Sequence, residues 1–171
     1  RRLAACKALG MDTMPVIVRN LTDEEAVITM VDSNLQREHI LPSEKAFAYK
    51  MKMEALSHQG KTSRQVGERW SVSQISEAGT DSERQIHRYI RLTHLISDIL
   101  KLVDEGKIAL TPAVELSYLQ PSEQEMLFSV MDSDEVTPSL SQARRLRRMS
   151  EAQTLTDDAV LQLLSEVKGN Q

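Results

Sequence analysis

Five polar side chains between residues 84 and 91 are of the types that read and hold nucleic acid: Arg84, Gln85, His87, Arg88 and Arg91. Arginine offers a fork of donors that fits guanine bidentately, glutamine fits adenine, and further cations hold phosphate oxygens. Spacing decides whether these side chains act together. With Ile86 set at zero and ~100° per residue, Ile90 falls at about 40°, Tyr89 at about 300° and Thr93 at about 340°, which makes one buried stripe. Arg84, Arg88 and Arg91 fall at about 160°, 200° and 140°, so three guanidinium groups share an arc of roughly 60° opposite that stripe. Gln85 and His87 flank the arc. A solvated helix face also carries arginine, but the convergence of three on one arc favours a DNA-facing surface. The roles that follow are base contacts from Arg84, Gln85 and Arg88, with His87 and Arg91 on phosphates.

Such a helix acts only if its neighbours aim it. Val72 to Gly79 reads as two amphipathic turns ending in glycine, and Asp81 or Ser82 can cap the helix from Glu83 to Leu92. A short helix, a glycine-containing turn and a longer helix make the helix-turn-helix layout, in which the second helix enters the major groove. Ser82, at the start of that second helix, joins the candidate DNA contacts. Gly79 and Ile86 are seven residues apart where six is usual, so either the turn carries one extra residue or Thr80 takes the place of the glycine.

The rest of the chain supplies the frame. It has 171 residues, 40% hydrophobic but only 4% aromatic, so its core must be built from aliphatic side chains and methionine, which favours helices. No stretch approaches the ~18 consecutive apolar residues of a membrane span. A single cysteine, Cys6, excludes an internal disulfide and a cysteine cluster for zinc, as expected of a cytoplasmic protein. The four histidines have no metal-ligand spacing. The formal charge of −4 does not exclude a nucleic-acid partner, because acidic groups gather in residues 101–171, twelve against seven basic, and local charge sets the field at a face.

Arg1 to Leu9 reads as a helix stopped by Gly10, Met14 to Val18 as a buried strand, and Thr22 with Glu25 as a capping box opening a helix to about Gln36. Helix, strand, helix in so short a span is the edge of an α/β unit. After Glu38 the pattern is all-α: Pro42 to Gly60, then segments near 94–105, 112–119, 122–132, 138–149 and 156–167. Arg144, Arg145, Arg147 and Arg148 form the strongest basic run and splay around their helix. Arg144 and Arg145 are candidate phosphate contacts, with a solvated helix as the alternative.

Arg1-Arg2-Leu3-Ala4-Ala5, Met14-Pro15-Val16-Ile17-Val18-Arg19, Asp23-Glu24-Glu25-Ala26 and Ser33-Asn34-Leu35-Gln36-Arg37-Glu38, followed by the helix-turn-helix, together resemble the ParB family of bacterial partition proteins. The resemblance implies a mainly α chain. Its first unit, residues 1–41, would be part of an α/β ParB-type nucleotide-binding domain. The second, residues 42–171, would be an all-α helix-turn-helix DNA-binding domain with its motif at about 71–93. It implies binding of a palindromic centromere-like site on double-stranded DNA, regulation by CTP with Mg²⁺, a homodimer, a ParA-type ATPase as partner, and a place on the nucleoid or plasmid. Arg1, Arg2 and Arg37 would face the nucleotide phosphates, and Asn34 the Mg²⁺-phosphate region. The start of the N-terminal domain and a C-terminal dimerisation domain would lie outside this chain.

One position departs from the pattern. Ser33 stands where the family carries a glutamate near the metal and the attacking water. A hydroxyl is no base at neutral pH, so CTP hydrolysis is not expected to be efficient even if nucleotide binding persists. The competing reading is a helix-turn-helix transcriptional regulator with no role in segregation and no response to nucleotide.

Overall fold

The computed structural model describes residues 2–59, 72, 73, 75, 76 and 81–166. Every regular element among them is helical: α1 (Arg2–Ala8), α2 (Asp23–Leu35), α3 (Pro42–Gln59), α4 (Glu83–Leu92), α5 (Ser97–Asp104), α6 (Leu110–Leu116), α7 (Pro121–Asp134), α8 (Leu140–Glu151) and α9 (Asp157–Ser165). Residues 72, 73, 75 and 76 are helical as well. Among the described residues no helix is long and apolar enough to cross a membrane.

The ends of the first helices follow their local signals. Gly10 takes φ +68°, and the Gly10 and Met11 amides donate to the carbonyls of Lys7 at 3.1 Å and Cys6 at 3.0 Å, closing α1 with a Schellman turn. Thr22 and Glu25 form the capping box: the Glu25 amide donates to Thr22 Oγ1 at 3.3 Å and the Thr22 amide to Glu25 Oε2 at 2.9 Å.

The expected strand is not formed. Residues 14–18 form no ladder, and Val16, Ile17 and Val18 are 69%, 84% and 85% exposed. A strand needs a neighbour to take its amides and carbonyls, and none of the described residues supplies one. The α/β character expected of residues 1–41 therefore does not appear. What the structure holds there is two helices joined by an open segment.

Two apolar clusters organise the remainder. The larger gathers Leu92, Ile99, Leu116, Leu127, Leu146 and Val160 from α4 to α9, each fully buried. The smaller joins Tyr49 of α3, Val72, Ile75 and Ile86 of α4. Helix α3 lies between α2 and α4. Its Lys52 is buried and ion-paired to Asp32 of α2, which offsets the cost of bringing an ammonium group out of water. At the start of α3, Asp104 of α5 accepts from the Ser43 amide at 2.9 Å and from the Ser43 hydroxyl at 2.5 Å.

Gln124, at 0% exposure, has no hydrophobic reason to be inside. Its Oε1 accepts from the Ile96 amide at 2.9 Å, and its Nε2 donates to the carbonyls of His94 at 3.1 Å and Leu119 at 3.0 Å. The segment that follows α4 is thereby fixed to the start of α7.

Candidate nucleic-acid interface

Helix α4 is set at both ends. Ser82 is its N-cap, with Oγ accepting from the Gln85 amide at 3.3 Å. The preceding residue, Asp81, receives a hydrogen bond from the Tyr49 hydroxyl and an ion pair from Lys45 at 2.6 Å. Ser76 Oγ donates to the Asp81 carbonyl at 3.2 Å, joining the helical residues 75 and 76 to the start of α4. Burial raises the Asp81 carboxyl, but the hydrogen bonds from Lys45 and Tyr49 outweigh it and hold the group below the usual aspartate range. Burial and then the carboxylate push the Tyr49 phenol up. The second half of α4 turns into the main core through Leu92, a burial that the Ile86-centred stripe did not include.

Ile86 is 1% exposed, the other members of the expected stripe (Tyr89, Ile90 and Thr93) are partly buried, and on the opposite side Arg84 is exposed while Arg88 and Arg91 are partly buried. Arg84, Arg88 and Arg91 line one groove of about 880 Å³ together with His87, His94 and Tyr118. Among the described residues Glu83 is the one carboxylate on that lining, and no carboxylate pairs with the three arginines. Burial, then Arg91 and Lys50, lower the His94 imidazole from its ordinary value.

The three arginines are nonetheless held differently. Arg84 is exposed. Arg88 donates to Gln85 Oε1 at 3.3 Å and to Thr111 Oγ1 of α6 at 2.5 Å. Arg91 donates through Nε to Ser117 Oγ at 3.1 Å and through NH2 to the Ser117 carbonyl at 2.8 Å, and it stacks on Tyr118. Arg91, expected on phosphate, is thus first a tie between α4 and the end of α6. The sequence pattern gave no sign of Thr111, Ser117 or Tyr118, because a contact between helices leaves no period in either one.

The basic run on α8 does not converge on this groove as free charge. Arg144 pairs with Glu115 at 3.5 Å, and Arg145 pairs with Glu166 through two hydrogen bonds of 2.5 and 3.1 Å. Arg147 bridges Glu115 at 3.0 Å and Glu151 at 2.8 Å.

The candidate nucleotide residues stand apart, at the end of α2. Arg37 donates to Asn34 Oδ1 at 2.5 Å, Arg37 and Ser33 are exposed, and the nearby Asp32 carboxylate is committed to Lys52. Arg1 and the side chain of Arg2 lie outside the described residues, as do the proposed turn at Gly79 and Thr80. No group of three or more His, Cys, Asp or Glu side chains suited to a metal occurs among the described residues.

No protein-family model matches the chain. It is 30% identical over 147 residues to the chromosome-partitioning protein Spo0J of Thermus thermophilus, covering 86% of this chain and 49% of that protein. It is 31% identical over 113 residues to the probable chromosome 1-partitioning protein ParB of Deinococcus radiodurans, covering 66% and 35%. The nucleoid occlusion protein of Listeria monocytogenes is 30% identical over 118 residues, covering 64% and 40%. The chain thus spans half or less of the length of these relatives. An identity of about 30% that runs along 86% of the chain assigns the chain to the ParB family of partition proteins.

Proposed function

We propose that this chain binds double-stranded DNA sequence-specifically at a palindromic centromere-like site, in the service of chromosome or plasmid partition. The observation that carries the reading is the outward side of α4. Three arginines line one groove with no carboxylate partner among the described residues, on a helix anchored beneath by Ile86. The helical residues 72, 73, 75 and 76 and helix α4 would belong to the two arms of a helix-turn-helix. Arg84, Gln85 and Arg88 contact bases, while His87 and the Ser82 cap region meet phosphates. Arg144 and Arg145 stay with their carboxylates. A palindrome calls for two copies of the chain, and the family resemblance supports a ParA-type ATPase as the partner, in the cytoplasm.

Regulation by CTP is the second part of the proposal. Arg37 is an exposed guanidinium able to take a phosphate once it leaves Asn34, and Arg1 and Arg2 would join it. For Mg²⁺ the fit is poorer: Ser33 brings no carboxylate and Asp32 is held by Lys52. Nucleotide binding is therefore proposed from the phosphate side, with no hydrolytic step. Because one relative at 30% identity is a nucleoid occlusion protein, a DNA-bound role other than segregation is the second reading.

The test is selection of bound sequences from a randomised duplex pool, repeated at several salt concentrations. The reading expects an inverted repeat and an affinity that falls steeply with salt. A pool that emerges without enrichment would overturn it.

A further inference from the structure

Arg88 is held from two sides. Its NH1 donates to Gln85 Oε1 at 3.3 Å, within α4, and its NH2 donates to Thr111 Oγ1 at 2.5 Å, on α6. The two contacts differ in kind. Gln85 moves with α4, whereas Thr111 is a separate fixed point on a helix whose Ala113 and Leu116 are fully buried. Arg91, by comparison, is drawn down onto Ser117 and Tyr118. A guanidinium carries five donors in a rigid plane, and the two bonds of Arg88 use two of them. Nε and one hydrogen on each terminal nitrogen stay available, their plane already set. The β-branched side chain of threonine is itself stiff about χ1, so it serves as a firm acceptor.

We propose that Thr111 is a positioning residue that sets the base preference of Arg88. The proposal rests on the reading of α4 as the base-contacting helix. Without the Thr111 hydroxyl, Arg88 keeps its charge and reach, so attraction to phosphates persists. What weakens is the in-plane pairing to one base edge, which depends on holding the fork within a narrow range of orientation. Thr111 therefore acts on discrimination rather than on overall affinity.

The experiment uses the full chain and a duplex pool with a randomised central segment, sequenced before and after binding. Thr111→Val, Thr111→Ala, Thr111→Ser, Arg88→Ala and the double variant of Arg88→Ala with Thr111→Val are compared with the parent, each first checked by thermal unfolding. Thr111→Val and Thr111→Ala are expected to lose about fivefold to tenfold in base preference, at the same base position that Arg88→Ala affects. Thr111→Ser keeps the preference, and adding Thr111→Val to Arg88→Ala changes nothing further. The proposal alone is overturned if Arg88→Ala shifts one position while Thr111→Val and Thr111→Ala leave it unchanged, or if they lower preference evenly at all positions as a loosened α6 would. If Arg88→Ala itself leaves every position unchanged, the base-contact reading of Arg88 is wrong and the proposal goes with it.

Discussion

The guanidinium of Arg91 lies 4.0 Å from the ring centroid of Tyr118, while two of its nitrogens hydrogen-bond Ser117. Arg147 of α8 approaches the same ring at 3.7 Å. One aromatic side chain thus joins α4, the end of α6 and α8, and the last turn of the candidate recognition helix is fixed to the bundle. Arg91→Ala is expected to lower stability by about 1.5–3 kcal/mol, from the lost charged hydrogen bonds and the stack. Arg91→Lys should recover only part of it, since a lysine cannot form the planar fork. Equilibrium denaturation in urea reads both.

Gln124 supplies the matching contact beyond α4. Gln124→Leu keeps the volume but leaves the Ile96 amide and the carbonyls of His94 and Leu119 without their partner. A loss of about 2–5 kcal/mol is expected, because unpaired buried groups carry their full desolvation cost. Hydrogen exchange at the Ile96 amide should quicken in the same variant.

The Asp81 junction makes stability depend on pH. The Asp81 carboxyl is lowered when folded, so its contribution is present above the unfolded aspartate value, about 3.9, and is lost as pH falls through the folded value. Tyr49 is raised when folded, so its contribution is present below about pH 10 and fades as pH rises above that. Asp81→Asn is expected to be less stable than the parent at neutral pH, with the gap closing below about pH 4. Thermal unfolding across that range measures it.

Arg145 should be silent toward DNA. Its guanidinium is engaged by the Glu166 carboxylate through two hydrogen bonds, so the pair carries no net charge to a phosphate. Arg145→Ala is expected to leave the slope of DNA affinity against salt unchanged, where loss of a true phosphate contact lowers it by about 1.

The legible parts of this protein were those written locally. Gly10 and the Thr22–Glu25 box set helix ends within a turn or two, and the Ile86 anchor gave the side of α4 on which Arg84, Arg88 and Arg91 line one groove. Residues 14–18 misled because a β-branched run states a preference for extended backbone but not who pairs with it. Lys52, Gln124, Thr111 and Tyr118 were illegible for a common reason. Each acts across helices distant in sequence, and such a side chain shows its purpose only once its partner is in place. The ion pairs of Arg144, Arg145 and Arg147 were hidden because Glu115 and Glu166 are far from them along the chain.

Base reading by α4 is measured most directly by one ratio: affinity for the most enriched duplex over affinity for a scrambled duplex of the same length, at fixed salt. For Arg84→Ala and Arg88→Ala this ratio is expected to fall about tenfold or more, as a lost bidentate base contact of ~1–3 kcal/mol requires. Two variants that fold normally and keep the parent ratio would contradict the assignment of α4 as the helix that reads DNA.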